Sequence, residues 1–172
     1  MLDIVIIGSG PAGLSAAIYG SRSGLDILVI EKISHGVGQI AEADCINNYL
    51  GFSSIRGFEL GMQFRTHAEA CGVRFQESEA IKLERTDACW KIYSKDGSCI
   101  QSKTVIYAAG ASHRHLNVFG EEALIGKGVS YCATCDGTFY KGKDVAVIGG
   151  GNTAVGDTLY LSDLCHKVYL IH

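Results

Sequence analysis

The chain opens with an apolar run that leads through a glycine-rich turn into a stretch with helical periodicity. Residues 4–7 are all β-branched and do not alternate with polar residues, which predicts a strand buried on both faces, as in a parallel sheet. Pro11 falls at the first turn of the predicted helix, where its missing N–H and fixed φ cost nothing. The apolar face of that helix comprises Leu14, Ala17, Ile18 and Ser21. Strand, turn and helix follow one another as in a dinucleotide-binding βαβ unit.

The turn itself has the spacing G-x-G-x-x-G. Its residues, all candidate cofactor contacts, are Gly8, Ser9, Gly10, Pro11, Ala12 and Gly13. We expect the first two glycines to let the backbone approach a pyrophosphate and the third to let the helix pack against the strand. A second strand, residues 25–30, ends at Glu31, about 20 residues after the turn, where an acid can hydrogen-bond a ribose diol. The alternative for Glu31 is an exposed strand-end glutamate without a ligand.

The middle of the chain changes from helical to alternating periodicity. One helical face ends before Gly72, which we expect in a left-handed conformation, and comprises Leu60, Phe64, Ala68 and Cys71. Alternating strands follow over residues 73–75, 81–83 and 90–94, and Asp96-Gly97 predicts a hairpin to residues 98–101. A further buried strand, residues 104–110, ends at Gly110, where small residues permit close approach of a ligand. We place the first domain at residues 1–113. We interpret His113 and His115 as solvated crossover residues and not as catalysts, since no partner carboxylate or cysteine lies nearby in sequence.

A second unit of the same kind occupies residues 114–172. The apolar run 145–148 precedes a glycine-rich turn and helix start whose candidate cofactor contacts are Gly149, Gly151, Asn152, Thr153 and Ala154. The next strand, residues 167–171, ends the chain, and two strands are too few to bury a nucleotide-domain helix. We therefore expect an α/β fold of two Rossmann-like, doubly wound domains, with an antiparallel β-meander in the first and an incomplete, truncated second domain.

Cys132 and Cys135 form a C-x-x-C motif, followed by Asp136, just before the second unit. With 22 Gly and 7 Cys in 172 residues, neither this motif nor a glycine pattern is specific alone. C-x-x-C pairs commonly have one acidic thiol and exchange two electrons as a disulfide, with Asp136 able to give or take a proton. A zinc site would need two further ligands, which the sequence does not place nearby, so no metal is expected. A purely structural disulfide is disfavoured in a reducing compartment.

Composition narrows the class of protein further. The net charge of -3 and pI near 6.0, without a basic patch, argue against nucleic-acid or anionic-membrane partners. Asp3 and the glycine turn interrupt the N-terminal apolar run, so it predicts neither a signal peptide nor a membrane span, and we expect a cytoplasmic protein. The remaining cysteines lack metal-ligand spacing and are predicted to be small buried hydrophobes: Cys45, Cys71, Cys89, Cys99 and Cys165.

Taken together, the motifs resemble bacterial thioredoxin reductases of the small, two-domain flavoprotein type. The matching segments, in order, are the first glycine turn, residues 38–39, 48–51, 109–112 and 128–137, and the second glycine turn. Residues 131–137 are the most specific, because related disulfide reductases carry their active cysteines near the N-terminus. The resemblance implies FAD on the first domain, NADPH on the second, thioredoxin as the reduced protein, and a homodimer.

The family roles transfer only to matching positions. Gln39 and Asn48 match residues near the flavin, Cys132 and Cys135 match the redox pair, and Asp136 matches the acid that follows it. Val37 departs from the pattern, since a second glycine is usual there. Two alternatives stay open: a non-catalytic flavin- or partner-binding fragment, and a flavoprotein that reduces a peroxidase partner instead of thioredoxin.

Overall fold

The computed structural model describes all residues from Met1 to His172 and divides into two compact units, Met1–Ser112 and His113–His172. The strands and helices of the first unit are β1 (Leu2–Ile7), α1 (Pro11–Arg22), β2 (Ile27–Glu31), α2 (Gly57–Ala70), β3 (Arg74–Glu77), β4 (Ala80–Arg85), β5 (Trp90–Ser94) and β6 (Cys99–Tyr107). Those of the second unit are α3 (Ala133–Asp136), β7 (Asp144–Ile148), α4 (Asn152–Ser162) and β8 (Lys167–Ile171).

The first unit contains one six-stranded sheet in the order β3-β2-β1-β6-β5-β4. The four strands β3, β2, β1 and β6 are parallel, while β5 and β4 are antiparallel to their neighbours. Alternate residues of β1 enter two apolar clusters. Ile6 packs with Leu14 and Ala17 of α1 on one face, and Val5 packs with Ile92 on the other. This confirms that the first apolar run forms a strand buried on both faces.

The link between the parallel strands and the meander differs from the sequence prediction. Residues 98–101 and 104–110 were expected to be separate strands, but residues 99–107 form one continuous strand, β6. Ser102 lies where its partners change, since it is paired with Leu2 of β1 on one side and Trp90 of β5 on the other. Its side chain is fully buried and its hydroxyl donates to Thr104 O at 2.6 Å, which satisfies a polar group inside the sheet.

The second unit places β7 and β8 side by side as a parallel pair joined by α4, which is a βαβ arrangement. The expected turn at Gly72 and hairpin at Gly97 both have the left-handed φ that favours glycine, +80° and +85°. The prediction of buried cysteines is wrong, because Cys45 and Cys99 are exposed and the other three free cysteines are half-buried. None of the helices combines the length and apolar character required to cross a bilayer.

Candidate redox and dinucleotide-binding sites

The first glycine turn is held tightly between β1, β6 and α1. Gly8 has φ +109°, and a Cβ there would overlap the carbonyl oxygen of Ala108. Gly13 lies over the same turn, because a Cβ on it would be 3.0 Å from the Gly8 carbonyl carbon, closer still to its oxygen, and 3.3 Å from Ile6 Cγ2. Glycine at these two positions is therefore required by backbone packing.

Gly10, between them, has room for a side-chain carbon. It is the N-cap of α1 with φ −72° and ψ 178°, and no side chain caps this helix end. A Cβ at Gly10 would meet no atom closer than 3.8 Å. The first N–H groups of α1, next to Pro11 and Ala12, therefore have an unobstructed approach for an anion such as a pyrophosphate.

A second loop is fastened beside this turn. The buried Ser9 hydroxyl donates to Gly36 O at 2.6 Å, and a Cβ on Gly38 would lie 3.0 Å from Gly10 Cα. Gln39, which follows Gly38, begins a short 3₁₀ turn at Gln39–Glu42. The structure thus places Gln39 next in the chain to the residue that packs on the glycine turn. The hydroxyl of Ser9, a candidate cofactor contact, is the group that fastens this loop.

The departure at Val37 is accommodated within the first unit. Val37 is buried and its side chain occupies the space that a Cβ on Gly61 of α2 would need. Asn48 lies on an exposed loop closed by the bridge between Ile46 and Ile55. Gly110 follows β6 with φ +74°, and a Cβ there would meet nothing within 4 Å.

Glu31 ends β2 as predicted, but it is buried, which excludes the exposed alternative. Nη1 of the buried Arg65 donates to both carboxylate oxygens of Glu31, at 2.9 and 2.7 Å. Nε of Arg65 donates to Glu69 at 2.7 Å, and its guanidinium carbon lies 3.4 Å from the centroid of the Phe75 ring. Sequence reasoning missed Arg65, and only its position on the apolar side of α2 could have drawn attention to it.

The redox motif forms the short helix α3. Cys132 and Cys135 are joined by a disulfide, with their Cα atoms 5.3 Å apart. Cys132 is the N-cap residue, and its sulfur accepts a hydrogen bond from the backbone N–H of Cys135 at 3.3 Å. Cys135 is exposed and Cys132 is half-buried. A backbone donor aimed at the Cys132 sulfur would stabilise a thiolate there once the bond is reduced.

Asp136 is tied back to the same motif through Ser130, which sequence reasoning also missed. The Ser130 hydroxyl lies 2.6 Å from Asp136 Oδ2 and accepts from the Cys132 N–H at 3.1 Å. Gly137 is buried, and a Cβ there would lie 3.0 Å from Tyr160 and 3.1 Å from Leu161 of α4. The redox motif is therefore packed directly against the helix that begins at the second glycine turn.

The second glycine turn repeats the first with one difference. Gly149 has φ +144°, and Gly151 is the N-cap of α4, with no side-chain cap and nothing within 4 Å of a Cβ. Asn152 and Thr153 begin the helix, so their N–H groups belong to its first turn. The third small residue is Ala154, whose Cβ would lie 3.2 Å from a Cβ placed on Gly149.

A polar cluster surrounds the residue before Cys132. The Tyr131 hydroxyl donates to the buried carboxylate of Glu121 at 2.6 Å and lies 3.0 Å from His115 Nδ1, while the His113 ring stacks on Tyr131. Glu121 also accepts from the backbone N–H of Leu116 at 2.9 Å. Both histidines are exposed, as expected of a crossover, but folding gives His115 a partner carboxylate, because the chain turns back and brings Glu121 Oε1 within 3.8 Å of its Nδ1.

Hydrogen bonding shifts the pKa values of Glu121 and Tyr131 in this cluster. The Tyr131 hydroxyl, followed by the Leu116 N–H, holds the pKa of Glu121 below its usual value. The same hydrogen bond to Glu121, assisted by burial, raises the pKa of Tyr131 to about 12. No group of three or more His, Cys, Asp or Glu side chains is arranged to bind a metal ion.

Two βαβ units with glycine turns and a C-x-x-C disulfide are the elements typical of the class of nucleotide-dependent disulfide oxidoreductases. The chain belongs to the family described as pyridine nucleotide-disulphide oxidoreductase, whose model matches residues 2–172. It is 42% identical over 170 residues to the thioredoxin reductase of Mycoplasma genitalium, covering 99% of this chain and 54% of that protein. The thioredoxin reductase of Bacillus subtilis is also 42% identical over 170 residues, covering 99% of this chain and 53% of that protein.

Solved structures confirm the fold. The thioredoxin reductase of Streptococcus pyogenes matches all of this chain with a TM-score of 0.92 and 40% identity, and 56% of its own chain is covered. That of Giardia duodenalis matches 98% of this chain with a TM-score of 0.91 and 34% identity, and 55% of its own chain is covered. The sequence-based resemblance and fold class are confirmed. The chain spans about half the length of the curated relatives it matches.

Proposed function

We propose that this chain carries the redox half of a thioredoxin-disulfide reductase, which passes electrons from NADPH through FAD to the Cys132–Cys135 disulfide and on to thioredoxin. One observation carries the proposal. The disulfide turn packs through Gly137 on α4, whose first turn begins at the open glycine turn of the second unit. Because these elements share one unit, a nucleotide-binding turn and an exchangeable disulfide move together. A cytoplasmic homodimer is part of the same proposal.

The first glycine turn has the features that an FAD pyrophosphate requires. Gly10 has no side chain to cover the uncapped N–H groups, and the loop carrying Gln39 packs beside it. Glu31 would hold the adenosine ribose, and Asn48 and Gly110, both on irregular segments, are proposed flavin neighbours. When bound, FAD would accept a hydride, which carries two electrons, and would pass both electrons on to an acceptor.

Residues of this chain account for the second step, in which the Cys132–Cys135 disulfide is reduced. Reducing the Cys132–Cys135 bond takes two electrons and two protons and gives two thiols. The Cys135 N–H stabilises negative charge on the Cys132 sulfur, and Asp136, held by Ser130, gives a proton to the departing sulfur or takes one from the attacking thiol. The Cys132 thiolate then attacks one sulfur of the partner disulfide, which forms a mixed disulfide and releases the partner's other sulfur as a thiolate. The Cys135 thiolate next attacks the Cys132 sulfur, which re-forms the Cys132–Cys135 bond and releases the partner as a dithiol.

The second glycine turn supports NADPH as the donor. Gly151, Asn152, Thr153 and Ala154 form an uncapped helix start like that of the first turn, which suits a second pyrophosphate. The strand β8 ends at Ile171, and the residue that follows it, His172, is not an acid of the kind that binds an NADH ribose. This pattern favours a phosphorylated ribose over an unmodified one.

The visible spectrum of this chain, purified from cells, tests the proposal. We expect bound flavin that bleaches on addition of NADPH and the appearance of two new thiols, with none in a Cys132→Ser, Cys135→Ser double variant. Thioredoxin added next should consume those thiols. A protein that binds flavin but forms no thiols with NADPH would contradict the proposed activity.

One alternative is a flavin- or partner-binding part without turnover. Bound flavin that NADPH cannot bleach, but that dithionite can, would support that alternative. Thiols that form normally but are consumed by a peroxidase partner and not by thioredoxin would identify the acceptor as the peroxidase.

A further inference from the structure

A side chain inside the C-x-x-C motif contacts one of the two redox sulfurs. The hydroxyl oxygen of Thr134 lies 3.6 Å from Cys132 Sγ. Because this sulfur is part of the disulfide with Cys135, it carries no hydrogen. Thr134 Oγ1 is therefore the donor and the sulfur is the acceptor. Sulfur is larger than oxygen, and hydrogen bonds to sulfur are correspondingly longer.

The Cys132 sulfur thus has two hydrogen-bond donors. The backbone N–H of Cys135 lies 3.3 Å from it, and the Thr134 hydroxyl is the second donor. Both donors belong to α3, the helix that Cys132 caps, so the backbone of that helix holds them beside the same sulfur. The hydroxyl is the one of the two that a substitution can remove.

The titratable groups next to the redox sulfurs in the chain are engaged with other partners. The Tyr131 hydroxyl donates to Glu121 at 2.6 Å, and Asp136 Oδ2 lies 2.6 Å from the Ser130 hydroxyl. Thr134 is exposed, and its hydroxyl has the sulfur as its acceptor. The hydroxyl is therefore available to a charge that develops on that sulfur.

Reduction of the disulfide strengthens this hydrogen bond. A bond from an O–H group to an ionised acceptor is stronger than a bond to a neutral one. Once the motif is reduced and Cys132 has lost its proton, the Thr134 hydroxyl faces a negative sulfur. It therefore stabilises the thiolate relative to the thiol, and the thiolate is the form that attacks a disulfide.

We propose that Thr134 is a catalytic residue of the redox motif, whose hydroxyl donates a hydrogen bond to the Cys132 sulfur and stabilises its thiolate for attack on the partner disulfide. The inference rests on the proposed function, since it adds a residue to that exchange. An electron pair of the thiolate forms the new S–S bond, and the pair of the broken bond leaves on the partner's other sulfur. Thr134 keeps its proton throughout, so it acts as a hydrogen-bond donor and not as an acid.

The pH dependence of Cys132 alkylation tests this role. Reduced Cys135→Ala protein, which has no second motif thiol and no added hydroxyl, is treated with iodoacetamide without nucleotides, and labelling of Cys132 is followed by peptide mass spectrometry. Thr134→Val replaces the hydroxyl by a methyl group at an exposed position and should move the midpoint of the pH–rate profile upwards by about 0.5–1 pH unit. The rate below the midpoint should fall about two- to threefold, and the plateau above it should rise by about as much, because a less stabilised thiolate is the stronger nucleophile.

Matched variants separate the hydroxyl from other effects. Thr134→Ser keeps the hydroxyl and should keep the unaltered profile, whereas Thr134→Ala should behave as Thr134→Val does, which covers the case in which valine disturbs the turn. Thr138→Val makes the same change at another exposed threonine, in the turn Gly137–Tyr140, and should leave the profile unchanged. The exposed Cys45 is labelled in the same samples, and its rate should be the same in every variant.

The outcomes distinguish this inference from the proposed function. A profile that is the same in Thr134→Val and Thr134→Ser would overturn the inference, as would an equal shift in Thr138→Val. A rate that falls by one factor at every pH would assign Thr134 a steric role and would also overturn it. These results stand whether or not NADPH produces thiols in the unaltered protein. Absence of those thiols would refute the reductase, and an unshifted profile would refute the role of Thr134 alone.

Discussion

Gly10 and Gly13 belong to the same motif but should respond oppositely to the same substitution. Gly10 has an ordinary extended backbone, and an added Cβ would meet no atom within 3.8 Å. Gly13 is helical, and its Cβ would lie 3.0 Å from the Gly8 carbonyl carbon and nearer still to the oxygen. Gly10→Ala is therefore expected to affect ligand binding alone, and Gly13→Ala to affect folding.

The magnitudes follow from these contacts. Alanine at Gly13 gains about 1 kcal/mol of helix propensity, but it must push α1 away from a backbone carbonyl, an overpacking cost of about 3 kcal/mol or more. The net loss of unfolding free energy is about 2 kcal/mol, which lowers the urea midpoint by roughly 1 M. Alanine at Gly10 should be neutral, or stabilise by about 0.4–1 kcal/mol through the unfolded chain.

FAD binding should respond in the opposite order, with the larger direct effect from Gly10→Ala. A methyl group at Gly10 occupies the open face of the uncapped helix start, where a pyrophosphate would accept backbone N–H bonds worth about 1.5–3 kcal/mol each. Losing one of them weakens FAD binding at least about tenfold. Urea unfolding of the apoprotein by Trp90 fluorescence and FAD titration by flavin fluorescence measure the two effects separately. Undiminished FAD affinity in Gly10→Ala, or undiminished stability in Gly13→Ala, would refute the reasoning.

Four further predictions concern the second unit. Tyr131→Phe should remove a tyrosinate transition near pH 12 from the ultraviolet titration, whereas persistence of that transition would assign it to another tyrosine. Because the pKa of Glu121 is lowered on folding, its stabilisation is present above the unfolded value near ~4.3 and lost as the pH falls through the folded value. Glu121→Gln should therefore flatten the acid limb of a stability-versus-pH curve. Cys132 in a Cys135→Ser variant should react with iodoacetamide several-fold faster than Cys135 in Cys132→Ser, although Cys135 is the more exposed, and the reverse order would show that exposure dominates. Gly137→Ala should lower thermal stability by about 1–3 kcal/mol, unless the α4 side chains move aside.

Most of the fold could be predicted because its signals are local. The continuous apolar run before Gly8 and the helical spacing after Pro11 each fix one element of the first βαβ unit. The path of β6 could not be predicted, because its change of partner at Ser102 depends on β1 and β5 lying on either side of it. Residues 101–104 are polar and interrupt the apolar pattern. The pattern therefore predicts that one strand ends there, although the backbone continues as a single strand.

The candidate site also comprises motifs that the sequence predicts and partner residues that it does not. The glycine turns and the C-x-x-C motif consist of residues that are close together in sequence, so their spacing identifies them. Arg65, Ser130 and Glu121 act on residues 34, 6 and 10 positions away, and single charged or hydroxylated residues carry no pattern of their own. Partners of this kind become visible only when folding brings them to the acid, sulfur or hydroxyl that they hold.

Comparison of the two glycine turns shows what each position of the motif indicates about the structure. Both place a left-handed glycine after a strand and an open N-cap glycine before a helix. At the third small position the first turn has Gly13, which has no room for a Cβ, and the second has Ala154, which carries one against Gly149. The helix of the first unit therefore lies closer to its turn than that of the second. The third residue of the motif reports this helix-to-turn distance, whereas the residue at the N-cap, which has room for a Cβ and no side-chain cap in either turn, marks where a nucleotide can bind.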